Sequence, residues 1–121
     1  MGKYTDEKMN EVCEVALVNL FTLVKGYKEI RIEVKNLESY KTKCAIMTAR
    51  NLESITGYPI FFKINFWELF SLKLWNKRFR DIKRTKGLAV DIEKLMDDVQ
   101  KAQEVDEDIW EEIFKAFYKE K

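Results

Sequence analysis

Glu29-Ile30-Arg31-Ile32-Glu33-Val34-Lys35 is the stretch on which the reading of the fold turns. Apolar and charged residues alternate in it without interruption. Side chains on a strand repeat with a period of two, so Ile30, Ile32 and Val34 take one face and Glu29, Arg31, Glu33 and Lys35 the other. The segment therefore predicts a strand with one buried and one charged face.

The flanking segments predict helices. Upstream, Thr5 is a good N-cap, and Asp6 and Glu7 suit the positive first turn of a helix. Val12, Cys13, Ala16, Leu17, Leu20, Phe21 and Val24 then recur at helical spacing until Gly26 stops the run. Downstream, Tyr40, Cys44, Met47, Leu52 and Ile55 approximate one helix face, with a drift that predicts a break near Thr48. Gly57 and Pro59 end that helix. Ile60-Phe61-Phe62-Lys63-Ile64-Asn65-Phe66 is apolar on both faces and predicts a central buried strand. Strand, helix and strand at this spacing form a right-handed crossover with parallel strands.

Residues 67–86 fit either a hairpin turning at Asn76-Lys77 or a helix through Trp67, Phe70 and Leu74. Asp91 can cap a helix carrying Ile92, Leu95, Met96, Val99 and Ala102. Asp106 can cap a last one, about 107–120, with Ile109, Trp110, Ile113, Phe114 and Phe117. The fold class expected is α/β: a small mixed sheet containing a parallel β-α-β unit, flanked by helices, with two C-terminal helices.

Composition narrows the chemistry. The 121 residues, 46% hydrophobic, suit one domain spanning 1–121. There is no histidine, which excludes Ser-His-Asp and Cys-His catalysis by this chain's side chains and any His-liganded metal. Cys13 and Cys44 stand singly, so zinc and dithiol chemistry have no motif and buried thiols are expected. The N-terminal residues are charged and match neither a secretory leader nor a myristoylation signal. No apolar run is long enough to span a bilayer, so no membrane contact and a cytoplasmic location are expected. Richness in lysine and glutamate is compatible with a thermophilic source.

Glu33 and Lys35 are the chemical candidates. A carboxylate and an ammonium two residues apart on one strand face are what a Mg²⁺-dependent nuclease uses: the first helps hold the metal and the second steadies developing charge or the attacking water. The run Ile32-Glu33-Val34-Lys35, a helix, and then Gly57-Tyr58-Pro59-Ile60-Phe61-Phe62-Lys63-Ile64 resembles the archaeal Holliday-junction resolvases of the PD-(D/E)XK nuclease superfamily. Gly87-Leu88-Ala89-Val90-Asp91-Ile92-Glu93-Lys94-Leu95-Met96 resembles the start of that family's last helix. The resemblance covers roughly residues 28–100. It implies Glu33 as a metal ligand, Lys35 as the catalytic lysine, Glu11 or Glu14 as the first-helix glutamate, Mg²⁺ as cofactor, branched DNA as substrate and a homodimer as the working unit. The family also carries a metal-binding Asp on a strand between the first helix and the E-x-K strand. Here Gly26 and Tyr27 join the two almost directly, and residues 15 to 32 contain no Asp. Glu29 shares the face of Glu33 but, at ~3.3 Å per residue, stands too far along the strand to share one ion easily. The resemblance thus implies a nuclease-like scaffold with an incomplete catalytic set.

Charge is segregated although the formal net charge is only +1. Lys73, Lys77, Arg78, Arg80, Lys83, Arg84 and Lys86 face a single acid, Asp81, with Trp75 and Phe79 interleaved. Bases neutralise phosphates and aromatics stack on nucleobases, which makes this segment the nucleic-acid-binding candidate. From Asp91 to Glu112 ten acids face only Lys94 and Lys101. That block suits the wet side of two helices, a basic protein partner, or a second copy of the chain. Two functions follow as expectations: a nucleic-acid-binding protein on a nuclease-like scaffold, or a small protein-interaction module, virus- or plasmid-encoded, without nucleic-acid contact.

Overall fold

Thr5 opens the first helix in the way its sequence position predicts. A computed structural model describes residues 2–27, 30–34, 38–58, 60–63 and 88–118, with strand residues 33, 61–63, 88 and 89 described by their backbone alone. The Thr5 hydroxyl accepts from the Lys8 N–H at 3.1 Å and starts α1, Asp6–Val24. Met9, Val12, Ala16, Leu20 and Val24 form its buried stripe, at steps of three and four. Gly26, at φ 92°, lets the chain leave the helix. β1, Ile30–Glu33, follows, with Ile30, Ile32 and then Val34 buried as the alternation requires.

α2, Tyr40–Thr56, is unbroken, contrary to the break expected near Thr48. The Thr48 hydroxyl donates to the Cys44 carbonyl at 2.8 Å, which satisfies a buried polar group without interrupting the helix. The buried residues are Thr42, Cys44, Ala45, Ile46, Thr48, Ala49 and Leu52, while Ile55 of the expected face is 67% exposed. Gly57 closes α2 at φ 78°, its N–H donating to the Glu53 carbonyl at 2.8 Å. The Glu53 carboxylate then accepts from the Ile60 N–H at 2.8 Å, which ties the end of α2 to β2, Ile60–Lys63.

Leu88–Asp91 forms β3, in the stretch where the resemblance implied the start of a last helix. The helix begins one residue later: α3 runs Ile92–Ala102, with Asp91 Oδ1 accepting from the Lys94 N–H at 3.1 Å. α4, Asp108–Ile113, continues directly into a π-helical turn, Phe114–Tyr118. Asp106 does contribute to the start of α4, since its Oδ1 accepts from the Asp108 N–H.

The strands lie in the order β2-β1-β3 and both pairings are parallel. Ile30 stands level with Ile60 and Leu88, and Glu33 with Lys63 and Asp91. The crossover from β1 through α2 to β2 is therefore present. The α/β class with a mixed sheet is not. The described residues are mostly helical, the strands have four residues each, and no antiparallel pair occurs among them. The physical reason lies in the core. Helical residues supply most of it, and the sheet contributes Ile30, Ile32, Val34, Ile60 and Val90 as a floor beneath α1, α2 and α3. The expected hairpin or helix at 67–86 lies outside the described residues.

Candidate functional site

Three chain segments bring their charged ends to one row. Glu33 ends β1, Lys63 ends β2 and Asp91 ends β3, and the register sets Glu33 between the other two. Neighbouring parallel strands are about 4.8 Å apart, so this is the closest spacing a sheet offers. Ile32 and Val90, one position earlier on their strands, are buried. The row also marks the carboxyl edge of the sheet, where open parallel sheets bind their ligands.

Asp91 was legible in the sequence only as a helix cap, and it fills that role. Its place beside Glu33 was not legible, because that needs β3, and Leu88-Ala89-Val90 is too short and too plain a run to announce a strand. An aspartate does stand level with the E-x-K glutamate, but on the following strand rather than the preceding one. Magnesium is commonly bound through one or two carboxylates, with water and substrate phosphates completing its shell. The backbone register makes Glu33 and Asp91 neighbours, two residues of the carboxylate type. Among the described residues no group of three or more Asp, Glu, Cys or His converges as a fuller cation site.

The first turns of α2 and α3 are joined by side chains. The Thr42 hydroxyl donates to Glu93 Oε1 at 3.1 Å, and Lys41 Nζ lies 2.6 Å from Asp97 Oδ1. Beside Asp91 an open groove of about 360 Å³ runs between α1 and α3, floored by Val90, Leu95 and Leu23 and rimmed by Asn19, Lys94 and Asp98.

The other candidates fall as follows. Glu11 and Glu14 are exposed on α1, and Lys8 lies 3.3 Å from Glu11. Lys35, Lys73, Lys77, Arg78, Arg80, Lys83, Arg84 and Lys86 lie outside the described residues. Much of the acidic block is engaged within the chain: Asp91 caps, Glu93 and Asp97 hold α2, Asp106 binds Lys3, Glu112 accepts from the Tyr4 N–H at 3.0 Å, and Glu111 pairs with Lys115. The Lys3 hydrogen bond holds the Asp106 carboxyl below the usual range and raises the Lys3 ammonium. Both side chains are about half exposed, so the pair is weak in stability terms.

The cysteines are structural. Cys44 is buried and its thiol donates to the Trp110 carbonyl at 3.2 Å. Burial pushes both thiols up, and burial likewise pushes up the neighbouring Tyr118 phenol. A thiol held protonated is a poor nucleophile and a poor metal ligand.

No protein-family model, curated protein or solved structure matches the chain. Among the described residues no helix is long and apolar enough to cross a membrane.

Proposed function

We propose that this chain is a nucleic-acid-binding protein on a nuclease-like scaffold, with the carboxyl edge of its sheet facing phosphate and Mg²⁺. The observation that supports this reading is the register row Lys63–Glu33–Asp91. It pairs two carboxylate residues that could hold the cation with a lysine at the same level, and Lys35 follows Glu33 by two positions in the sequence. The basic residues from Lys73 to Lys86, which connect β2 to β3 in sequence, supply the phosphate contacts. Two carboxylates would hold Mg²⁺ together with substrate phosphate; the reading keeps nucleic-acid binding as the function, with catalysis impaired. A homodimer and an intracellular location go with this reading.

The test is gel-shift titration of duplex, four-way junction and single-stranded DNA at low salt. Binding that weakens with salt, and weakens further when Arg78, Arg80 and Arg84 are changed to Ala, supports the proposal. Absence of binding to all three substrates removes it. Incubating junction DNA with Mg²⁺ or Mn²⁺ measures residual cleavage, and equal cleavage by wild type and Lys35→Ala removes any catalytic role for that lysine.

Exposed apolar side chains favour a second reading, a protein-interaction module without nucleic-acid contact. Val18, Phe21 and Leu23 of α1 and the nearby Tyr27 are each 43% exposed or more. A stoichiometric protein partner retained after nuclease treatment, lost on Phe21→Ser, is the result this reading requires.

A further inference from the structure

From Val15 to Val24, ten consecutive residues of α1 carry no charge, in a chain that is 36% charged. Part of this stretch is core: Ala16, Leu20 and Val24 are buried. The outer face departs from the usual pattern of a surface helix, which turns charge toward water. Val18 is 53% exposed and Phe21 43%. At about 100° per residue, Val18 stands opposite the buried line of Met9, Ala16 and Leu20. α3 shows the ordinary arrangement, with Lys94, Asp98 and Lys101 exposed.

Charge returns at both ends of that outer face, with opposite signs. Glu11, Val18 and Lys25 are spaced by seven residues, about two turns, and so lie along one line of the helix. Glu14 lies about one turn before Val18 on the same side. Glu11, Glu14 and Lys25 are exposed. Among the described residues Glu11 meets Lys8, at 3.3 Å, while Glu14 and Lys25 form no ion pair. A face that is acidic at one end, apolar at its centre and basic at the other is complementary to itself turned end for end. That is what a two-fold contact requires, since in it residue i meets j and j meets i. Turned about Val18, Lys25 comes level with Glu11 of a second copy and within a turn of its Glu14, and Phe21 comes level with its Val15. The 19 residues of α1 span about 28 Å, enough to hold all of these layers.

We propose that the outer face of α1 is the contact between two copies of this chain, packed antiparallel across Val18, with Lys25 of each copy against Glu11 and Glu14 of the other. The opposite charges at the two ends select a second copy as the occupant. They also select the antiparallel arrangement, because a parallel one sets Lys25 against Lys25 and Glu11 against Glu11. Contact through one helix belongs to the weak class of interfaces, below about 1,200 Å², so the dimer is reversible and forms at micromolar concentration. This contact goes beyond the nucleic-acid reading: it gives the accompanying homodimer a surface, from residues which that reading does not use.

The test is sedimentation velocity of the full chain over a micromolar concentration range, with gel shifts run on the same samples. A mass rising from 14.5 kDa toward twice that value is expected. Val18→Glu sets two carboxylates at the two-fold axis and is expected to leave monomer, with circular dichroism checking its fold. Lys25→Glu turns the end pairs into like-charge contacts and raises the dissociation constant about tenfold. Adding Glu11→Lys and Glu14→Lys to it restores the dimer, and high salt narrows these differences. Val18→Cys is expected to form a disulfide between copies under oxidised glutathione. Lys25→Cys forms none, because its two copies stand about 21 Å apart along the helix pair. Monomer at every concentration overturns the proposal, whether another stretch of this chain or a different protein covers the face. A dimer that survives Val18→Glu overturns this surface, and one unchanged by Lys25→Glu overturns the antiparallel arrangement. Wild-type monomer that still shifts DNA leaves the nucleic-acid reading standing, whereas a Val18-dependent dimer that shifts no DNA removes that reading and keeps this surface.

Discussion

Glu33 and Asp91 are register partners on adjacent parallel strands, each the last residue of its strand. They are 58 positions apart in the sequence, and the pairing of β1 with β3 makes them neighbours. The same aspartate caps α3, so one carboxylate ends a strand, starts a helix and adjoins the candidate cation row.

These roles of Asp91 can be separated. Asp91→Ala removes the cap and lowers stability by about 1 kcal/mol. Asp91→Asn keeps a capping oxygen and so keeps most of that stability, but removes the charge beside Glu33. Denaturant midpoints should therefore separate the two variants, while Mn²⁺ affinity, followed by water relaxation, falls in both. Mn²⁺ affinity unchanged in Asp91→Asn would show that Asp91 serves the helix alone.

Glu104 is the one non-glycine residue with positive φ among the described residues, at 55°. It follows α3, where its N–H donates to the Lys101 carbonyl and the Val105 N–H donates to the Gln100 carbonyl, both at 3.2 Å. That is the Schellman arrangement, which favours glycine at this position. Glu104→Gly is expected to stabilise the protein by about 0.5–1 kcal/mol, measured by chemical denaturation.

Gly57 provides the opposite case. A Cβ there meets nothing within 4 Å, so space is not limiting and only its φ of 78° resists substitution. Gly57→Ala should cost about 1 kcal/mol, and Gly57→Asn less, since Asn tolerates this region better.

Trp110 and Phe117 sit about two turns apart in the last described helical segment, with opposite exposure. Trp110 is 1% exposed and its indole N–H donates to Gln100 Oε1 at 3.0 Å, whereas Phe117 is 40% exposed. Trp110→Ala is expected to cost about 3–5 kcal/mol. Phe117→Ala is expected to stay within about 0.5 kcal/mol of wild type. Thermal melts of the two variants test the assignment.

Cys13, Cys44 and Tyr118 set an alkaline limit. Burial raises all three above their ordinary values of 9.0 for the thiols and 10.0 for the phenol. The folded state therefore holds these protons more tightly than the unfolded chain. Their contribution is fully present below about pH 9 and is lost as pH rises past the unfolded values toward the raised ones. Denaturant midpoints should fall between about pH 9 and 11. At pH 8 iodoacetamide should label Cys44 only after unfolding.

Local spacing was enough to read several features. Thr5, the apolar run from Val12 to Val24, Gly26 and Gly57 declare α1 and the end of α2, because capping and period depend on residues within a turn or two. The alternation around Ile32 and the apolar run at Ile60 declare two strands, and the helix between them makes them parallel. The helical C-terminal cap at Glu104 was not legible, since glutamate does not announce a left-handed turn and the carbonyls it serves impose the geometry. Nor was the fate of the acids. The pairs Lys41–Asp97 and Thr42–Glu93 join residues more than fifty positions apart, so two acids of a block that reads as a wet face are clasps between α2 and α3.

What the sequence alone determined is the local grammar: which segments can coil or extend, which face is apolar, and that no histidine chemistry is open to the chain. Tertiary structure alone decided that Leu88–Asp91 extends along β1, and with it the meeting of Glu33, Lys63 and Asp91. A four-residue strand carries too little periodic signal of its own. Backbone hydrogen bonds offered by the neighbouring strand, and the burial of Val90 beneath the helices, choose its conformation and its register.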